Sequence, residues 1–179
     1  MIVSISQFDT YSGNYENAQD VVAMKTSMLM TAQNIVEEYL GYTAESGTRT
    51  DTVQGIGTNH LYLFAQPITA VTAVTYNGIT LLSTAFDIRE KYLCLKEGVW
   101  PNGVEVTVTY TAGWTLGTVP DTVKMTILQI ASLMLEESGG NIGITGKSMD
   151  ENSRTFINYT NYDKWLKKLD PLRIVRLYG

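Results

Sequence analysis

The sequence predicts an α+β fold: two main amphipathic helices packed with a small, mostly antiparallel sheet inserted between them, then long loops, a C-terminal helix and an extended tail. Three observations carry this expectation. Apolar residues recur at three- and four-residue steps in two separate stretches, near 17–40 and 120–137. Between them lies a β-rich insert, 60–114, dense in Val, Ile, Thr and Tyr. Asn77-Gly78, flanked by apolar runs, is a strong hairpin signal, because both central positions of a type I′ turn need positive φ.

Residues 1–16 show no clear period. From Asn17 onward, Val21, Val22, Met28, Leu29, Ala32, Ile35, Val36, Tyr39 and Leu40 mark one apolar face, and Gly41 is a natural terminator. Residues 43–59 are polar and glycine-rich and are expected to form a loop. His60–Phe64, the run from Pro67 through the Asn-Gly turn, Phe86–Ile88 and Lys91–Leu95 are strand candidates. Val104, Val106, Val108 and Tyr110 alternate with Glu105, Thr107 and Thr109, the mark of a half-buried strand.

The stretch YTAGWTLGTVPDTVK then switches from strand to helix. Gly113 lets the backbone leave the sheet without a Cβ clash. Trp114 offers a large surface to cover the sheet end. Pro120 suits a helix start, where its missing N–H costs nothing, and Asp121 in the first turn suits the helix dipole. Val123, Ile127, Ile130, Ala131, Met134 and Leu135 form the apolar face of the second helix, which stops at Gly139-Gly140. Residues 139–158 are polar and glycine-rich and are expected to form another long loop. Tyr162, Trp165, Leu166 and Leu169 share one face of a last short helix, with Asn161 as a candidate cap and Asp170-Pro171 as its end.

Composition narrows the function classes. Hydrophobic residues make up 44% and charged residues 17%, low for a chain that must solvate its whole surface, and eleven Tyr and seven Met are residue types favoured at interfaces. A net charge of −5 argues against nonspecific nucleic-acid binding. The one cysteine, Cys94, implies no internal disulfide and is expected to be a buried, inert thiol. The start lacks a signal-peptide pattern and no apolar run approaches the length of a membrane span, so a soluble protein made in a cytoplasm is expected.

No catalytic, cofactor or metal site emerges. Gly146-Lys147-Ser148 resembles the end of a phosphate loop, but position 141 is Asn and the stretch follows a helix rather than a strand. Gly55-Ile56-Gly57 lacks the third glycine of a dinucleotide fingerprint. His60 is the sole histidine, and no Gly-x-Ser-x-Gly elbow accompanies it. Glu37-Glu38 and Glu136-Glu137 are adjacent on helices, so the members of each pair do not face one another. The expectation is no enzyme and no cofactor.

The tail carries more signal. Arg173 and Arg176 interleave with Leu172, Ile174, Val175, Leu177 and Tyr178, and Lys164, Lys167 and Lys168 lie just upstream. Such a segment either packs on its own sheet or docks on a partner, and docking is favoured because a terminus gains order only when tied down.

The order of the pieces resembles a known family. A helix ending in EEYLGY, an insert with PITAVTAVTYNG and VTVTYTAGW, and VPDTVKMTILQIASLMLEE leading into a second helix are similar to the head–tail connector, or adaptor, proteins of tailed bacteriophages and related particles. The pattern of Tyr-x-Ala-Gly-aromatic followed by Val-Pro falls on Tyr110, Ala112, Gly113, Trp114, Val119 and Pro120, and the match covers about residues 20–140. The resemblance implies one connector domain over residues 1–179, acting as a structural virion protein in the head–tail neck. It implies a homo-oligomeric ring, usually a dodecamer and possibly a monomer in isolation, that sits beneath the portal. The ring would extend the DNA channel without sequence-specific binding and give a platform to a stopper or tail-completion protein. By the same analogy the portal contact falls on Trp165, Leu169, Leu172, Arg173, Ile174 and Arg176. Two alternatives stand beside it: a stopper or tail-terminator subunit of the same neck, and a small-ligand or carbohydrate-binding β-rich module using Trp100 and Trp114 as stacking platforms.

Overall fold

In a computed structural model, residues 1–138, 146–149, 152–155 and 162–174 are described. The architecture is α+β, and the chain divides into two compact units. One comprises Met1–Leu40 and Pro120–Arg173; the other comprises Gly41–Val119, to which Ile174 also belongs.

The first unit is built mainly of helices. Helix α1 (Ile5–Ser12) was not foreseen, since its eight residues hold too few apolar positions to show a period. Its start is a reciprocal capping box: Ser4 Oγ accepts from Gln7 N–H at 3.2 Å, and Gln7 Oε1 accepts from Ser4 N–H at 2.9 Å. Helix α2 (Gln19–Leu40) buries Lys25, Leu29, Ala32, Val36 and Leu40, one stripe at three- and four-residue steps. It packs along α3 (Asp121–Ser138), whose Val123, Ile127, Ile130 and Ala131 are buried. Both helices fall where the periodicity places them.

Lys25 sits in that apolar stripe with its side chain wholly buried. Its ammonium donates to Asp9 Oδ1 at 2.7 Å, to the Asn14 carbonyl at 2.7 Å and to the Glu16 carbonyl at 2.9 Å. All three ammonium protons thus have acceptors, which is what makes burial of the charge tolerable. The same three bonds tie α1 and the link after it to α2.

The last part of this unit is a short helix α4 (Asp163–Leu166) that tightens into a 3₁₀ stretch, Lys167–Leu172. The sequence expectation that Asp170-Pro171 ends the segment is corrected: Pro171 lies inside the 3₁₀ stretch, which runs on to Leu172. Asn161, the candidate cap, lies outside the described residues; the residue at the cap position is Tyr162, and its side chain makes no capping bond.

The second unit holds two antiparallel sheets. The larger has strand order β1 (Gly47–Gln54), β7 (Glu105–Ala112), β3 (Ile68–Tyr76), β4 (Ile79–Thr80). The smaller has β2 (His60–Tyr62), β6 (Tyr92–Leu95), β5 (Phe86–Ile88). Strand β1 corrects the loop expected over 43–59. Its inward positions include Arg49 and Asp51, so it lacks apolar alternation, yet both charges find internal partners. Arg49 donates to the Thr43 and Glu45 carbonyls at 2.8 and 3.2 Å. Asp51 Oδ2 accepts from Tyr110 Oη at 2.5 Å and from Phe64 N–H at 2.8 Å. The β3–β4 turn has Asn77 at φ 50° and Gly78 at φ 74°, the positive pair that the Asn-Gly dipeptide predicts.

The strand-to-helix switch is closed by packing. A Cβ on Gly113, where φ is 103°, would lie 2.6 Å from the Glu45 carbonyl oxygen. Trp114 N–H donates to the Ala44 carbonyl at 2.8 Å, and Ser46 N–H donates to the Trp114 carbonyl at 2.9 Å. The indole lies tilted on Tyr42, ring centroids 6.0 Å apart, and is 8% exposed. Only glycine permits so close a passage of two backbones.

Within the residue range of the first unit, a two-stranded ribbon pairs β8 (Gly146–Met149) with β9 (Asn152–Thr155) in antiparallel register. It corrects the loop expectation for those positions. The remainder of 139–158 lies outside the described residues.

Candidate functional site

The residues proposed from the tail separate into two groups. Trp165 is 9% exposed and Leu169 is fully buried. Leu172 and Ile174 are half-buried, and Arg173 is exposed. Arg176 lies outside the described residues. Trp165 and Leu169 therefore anchor the segment inward, with Leu166 beside them, while Lys164, Lys167, Lys168 and Arg173 are exposed. Four cations against Asp163 and Asp170 give the segment a local positive character on a chain that is acidic overall.

A residue the sequence reading placed only on the apolar face of α2 holds the segment's end. Tyr39 Oη donates to Asp170 Oδ1 in a short hydrogen bond, and the Arg173 guanidinium lies 4.8 Å over the Tyr39 ring. The bond to Asp170 holds the Tyr39 phenol above its ordinary pKa, with smaller contributions from desolvation and the Asp170 charge. Tyr162 and Trp165 rings lie 6.5 Å apart, and burial followed by the Glu137 charge raises the Tyr162 phenol. A carboxylate 131 positions from a tyrosine, with an arginine just beyond it over the same ring, has no local sequence signature. Gly41, at φ 84°, admits the Ile174 carbonyl so closely that a Cβ there would lie 2.9 Å from it.

His60 packs edge-on against Tyr92 with ring centroids 4.6 Å apart. Cys94 is half-buried rather than buried, and its thiol lies 3.6 Å from the Leu95 carbonyl. Gly146-Lys147-Ser148 belong to strand β8 rather than to a helix start, where a phosphate loop would place them. Among the described residues, no group of three or more His, Cys, Asp or Glu side chains is placed to hold a metal ion, and no helix is long and apolar enough to cross a membrane. Trp100 is fully buried with its indole N–H donating to the Asn59 carbonyl at 3.0 Å, and Trp114 is buried too. Neither offers the open ring face that the carbohydrate-binding alternative needs.

The profile of the head completion protein family matches residues 1–137. Among solved structures, the chain is similar to a chain in the virion of a native gene transfer agent particle, at TM-score 0.62 and 15% identity, covering 99% of this chain and 92% of that one. It is also similar to a chain in the neck of the empty gene transfer agent particle computed with C6 symmetry, at TM-score 0.61, 14% identity and coverage of 99% and 92%. A third similar chain is from the neck of the native particle computed with C12 symmetry, at TM-score 0.57, 14% identity and coverage of 96% and 90%. At these identities the likeness is one of fold. No curated protein sequence matches this chain.

Proposed function

Because this chain belongs to the head completion protein family, we propose that it is a structural subunit of the neck of a phage-like particle, assembled as a ring between the capsid vertex and the tail. The carrying observation is that its fold follows, over 99% of its length, a chain from a neck with rotational symmetry. The function is noncovalent: subunits present complementary surfaces to one another and to the portal, and DNA passes through the lumen without base recognition. The net charge of −5 supports passage, since like charge lets DNA slide rather than adhere.

In this reading the segment Tyr162–Ile174 meets the portal. Trp165 and Leu169 act from inside as anchors that fix its path, and Leu172 and Ile174 form its half-buried apolar edge; Arg176, beyond the described residues, is included in the contact as a candidate cation by sequence alone. Arg173, with Lys164, Lys167 and Lys168, supplies the contact charges. Tyr39 and Asp170 pre-orient Arg173, which reduces the entropy lost on docking. An acidic portal surface is the complement that this charge pattern fits.

The test is co-sedimentation with portal rings. The wild-type chain is expected to co-sediment in several copies per portal, with binding weakened by added salt. The triple variant Lys167→Glu/Lys168→Glu/Arg173→Glu and a chain lacking residues 171–179 are expected to lose most of that binding. Unchanged binding of both would refute the portal assignment.

A further inference from the structure

Among the described residues the larger sheet ends at β1, and the ladder shows which of that strand's main-chain groups β7 leaves unused. Gly55 N–H donates to the Val104 carbonyl at 2.9 Å. With the unbroken register Val53↔Val106, Asp51↔Val108, Arg49↔Tyr110 and Gly47↔Ala112, the odd-numbered residues of β1 exchange hydrogen bonds with β7. The even positions are then the closer, non-bonded pairs, and their side chains agree. Thr50 and Thr109 hydroxyl oxygens lie 3.1 Å apart, and those of Thr52 and Thr107 lie 3.3 Å apart. Thr48, Thr50, Thr52 and Gln54 therefore turn their main-chain N–H and C=O groups away from β7, and all four residues are exposed.

Natural sheets guard such an edge with lysines, proline, bulges or very short strands. Strand β1 has eight residues, no proline, no register shift against β7, and no charged side chain at its outward positions. Its two charges, Arg49 and Asp51, are held by internal partners. An eight-residue edge without a bulge, an outward charge or, among the described residues, a partner strand is a template for another strand.

The same chain carries a strand pair without a sheet. Among the described residues, strands β8 and β9 pair only with each other. A two-stranded ribbon alone is marginally stable in water, and a third strand is the usual remedy. We infer that the β8–β9 hairpin of one copy adds to the β1 edge of the next copy, so that main-chain hydrogen bonds at Thr48, Thr50, Thr52 and Gln54 join neighbouring subunits. This inference rests on the ring reading above and gives it an interface. Edge and hairpin are different patches, so the contact is head-to-tail, the geometry that generates rings. Strand addition draws its affinity from the main chain, which suits an edge of threonines with little side-chain individuality.

The test uses two single-cysteine proteins on portal rings. One carries Cys94→Ala with Thr50→Cys; the other carries Cys94→Ala with Ser148→Cys or, in a parallel arm, Ser153→Cys. Mixed and mildly oxidised, they form a disulfide only between copies, and only if Cα atoms come within about 7 Å. The expected result is a covalent heterodimer in one of the two arms. In addition, Thr50→Pro, which removes an outward N–H that β7 does not use, is expected to weaken ring assembly at least tenfold while leaving the monomer's thermal midpoint nearly unchanged. Rings on the portal without a cross-link in either arm would overturn the edge assignment and leave the ring reading intact. A chain carrying both cysteines that closes its own disulfide without dimer would overturn it as well. Absence of any assembly on the portal would instead sink the ring reading, and this inference with it.

Discussion

The Lys25 ammonium lies 2.7 Å from Asp9 Oδ1 inside the helical unit, with the lysine side chain wholly buried. Removing one partner of a buried pair leaves the other charged and uncompensated, at a cost of about 3–5 kcal/mol. Lys25→Met is therefore expected to lower unfolding free energy by about that amount in urea titration. It also strands the Asn14 and Glu16 carbonyls. The double variant Lys25→Met/Asp9→Leu is expected to recover more than half of the loss, because no lone carboxylate remains. A double variant as unstable as the single one would show that the pair does not carry the cost.

Gly113 and Gly13 offer a matched comparison. Both have positive φ, 103° and 70°, but only Gly113 faces backbone, with the Glu45 carbonyl oxygen 2.6 Å from a would-be Cβ. Gly13→Ala meets open space and is expected to cost about 1 kcal/mol, the conformational term alone. Gly113→Ala adds a backbone clash to that term and is expected to cost at least about 3 kcal/mol. Equal losses in chemical denaturation would contradict the packing account of the strand-to-helix switch.

Two buried tyrosines set an alkaline limit. Burial pushes the Tyr42 phenol up to about 12, against a bond from Gln66 that works the other way. Burial, and then the hydrogen bond to Asp51, raises Tyr110 as well. A raised folded-state pKa means that the folded chain keeps a proton the unfolded chain releases near pH 10. This stability is fully present below about pH 10 and is lost as pH climbs toward 12. Urea midpoints measured from pH 9 to 12 are expected to fall, and the fall is expected to be shallower for Tyr42→Phe. A flat wild-type profile would contradict the assignment.

Tyr39, Asp170 and Arg173 separate docking from folding. Arg173→Ala removes a cation–ring contact worth about 0.5–1 kcal/mol at an exposed site. The thermal midpoint is expected to drop by no more than a few degrees, while portal affinity drops by tenfold or more. Tyr39→Phe keeps the ring beneath Arg173 but frees Asp170, and is expected to weaken docking less than Arg173→Ala. Equal loss of stability and binding in both variants would make the trio a fold element only.

Much of this architecture is legible in the residues, and its omissions have physical reasons. Helices α2 and α3, the Asn77-Gly78 turn and strand β7 follow from periodicity and turn chemistry, because their burial is one-sided and regular. Strand β1 was missed because its inward positions hold Arg49 and Asp51, whose partners come from elsewhere in the chain. Helix α1 was missed for want of a period, although Ser4 and Gln7 spell a capping box that signals it. Lys25 reads as a surface lysine until its three acceptors are assembled around it. In the segment Tyr162–Ile174 the apolar positions are legible, but which of them face inward is not. That depends on Trp165, Leu166 and Leu169 meeting a helical unit whose halves lie far apart in the chain.

The most direct measurement is the mass and symmetry of the complex formed when purified chain is added to portal rings, by native mass spectrometry and electron microscopy. The expected result is a ring of identical copies stacked coaxially on the portal, twelve if it follows the C12 neck that the chain resembles in fold. A chain that stays monomeric in the presence of portal, or binds as a single off-axis copy, would contradict it.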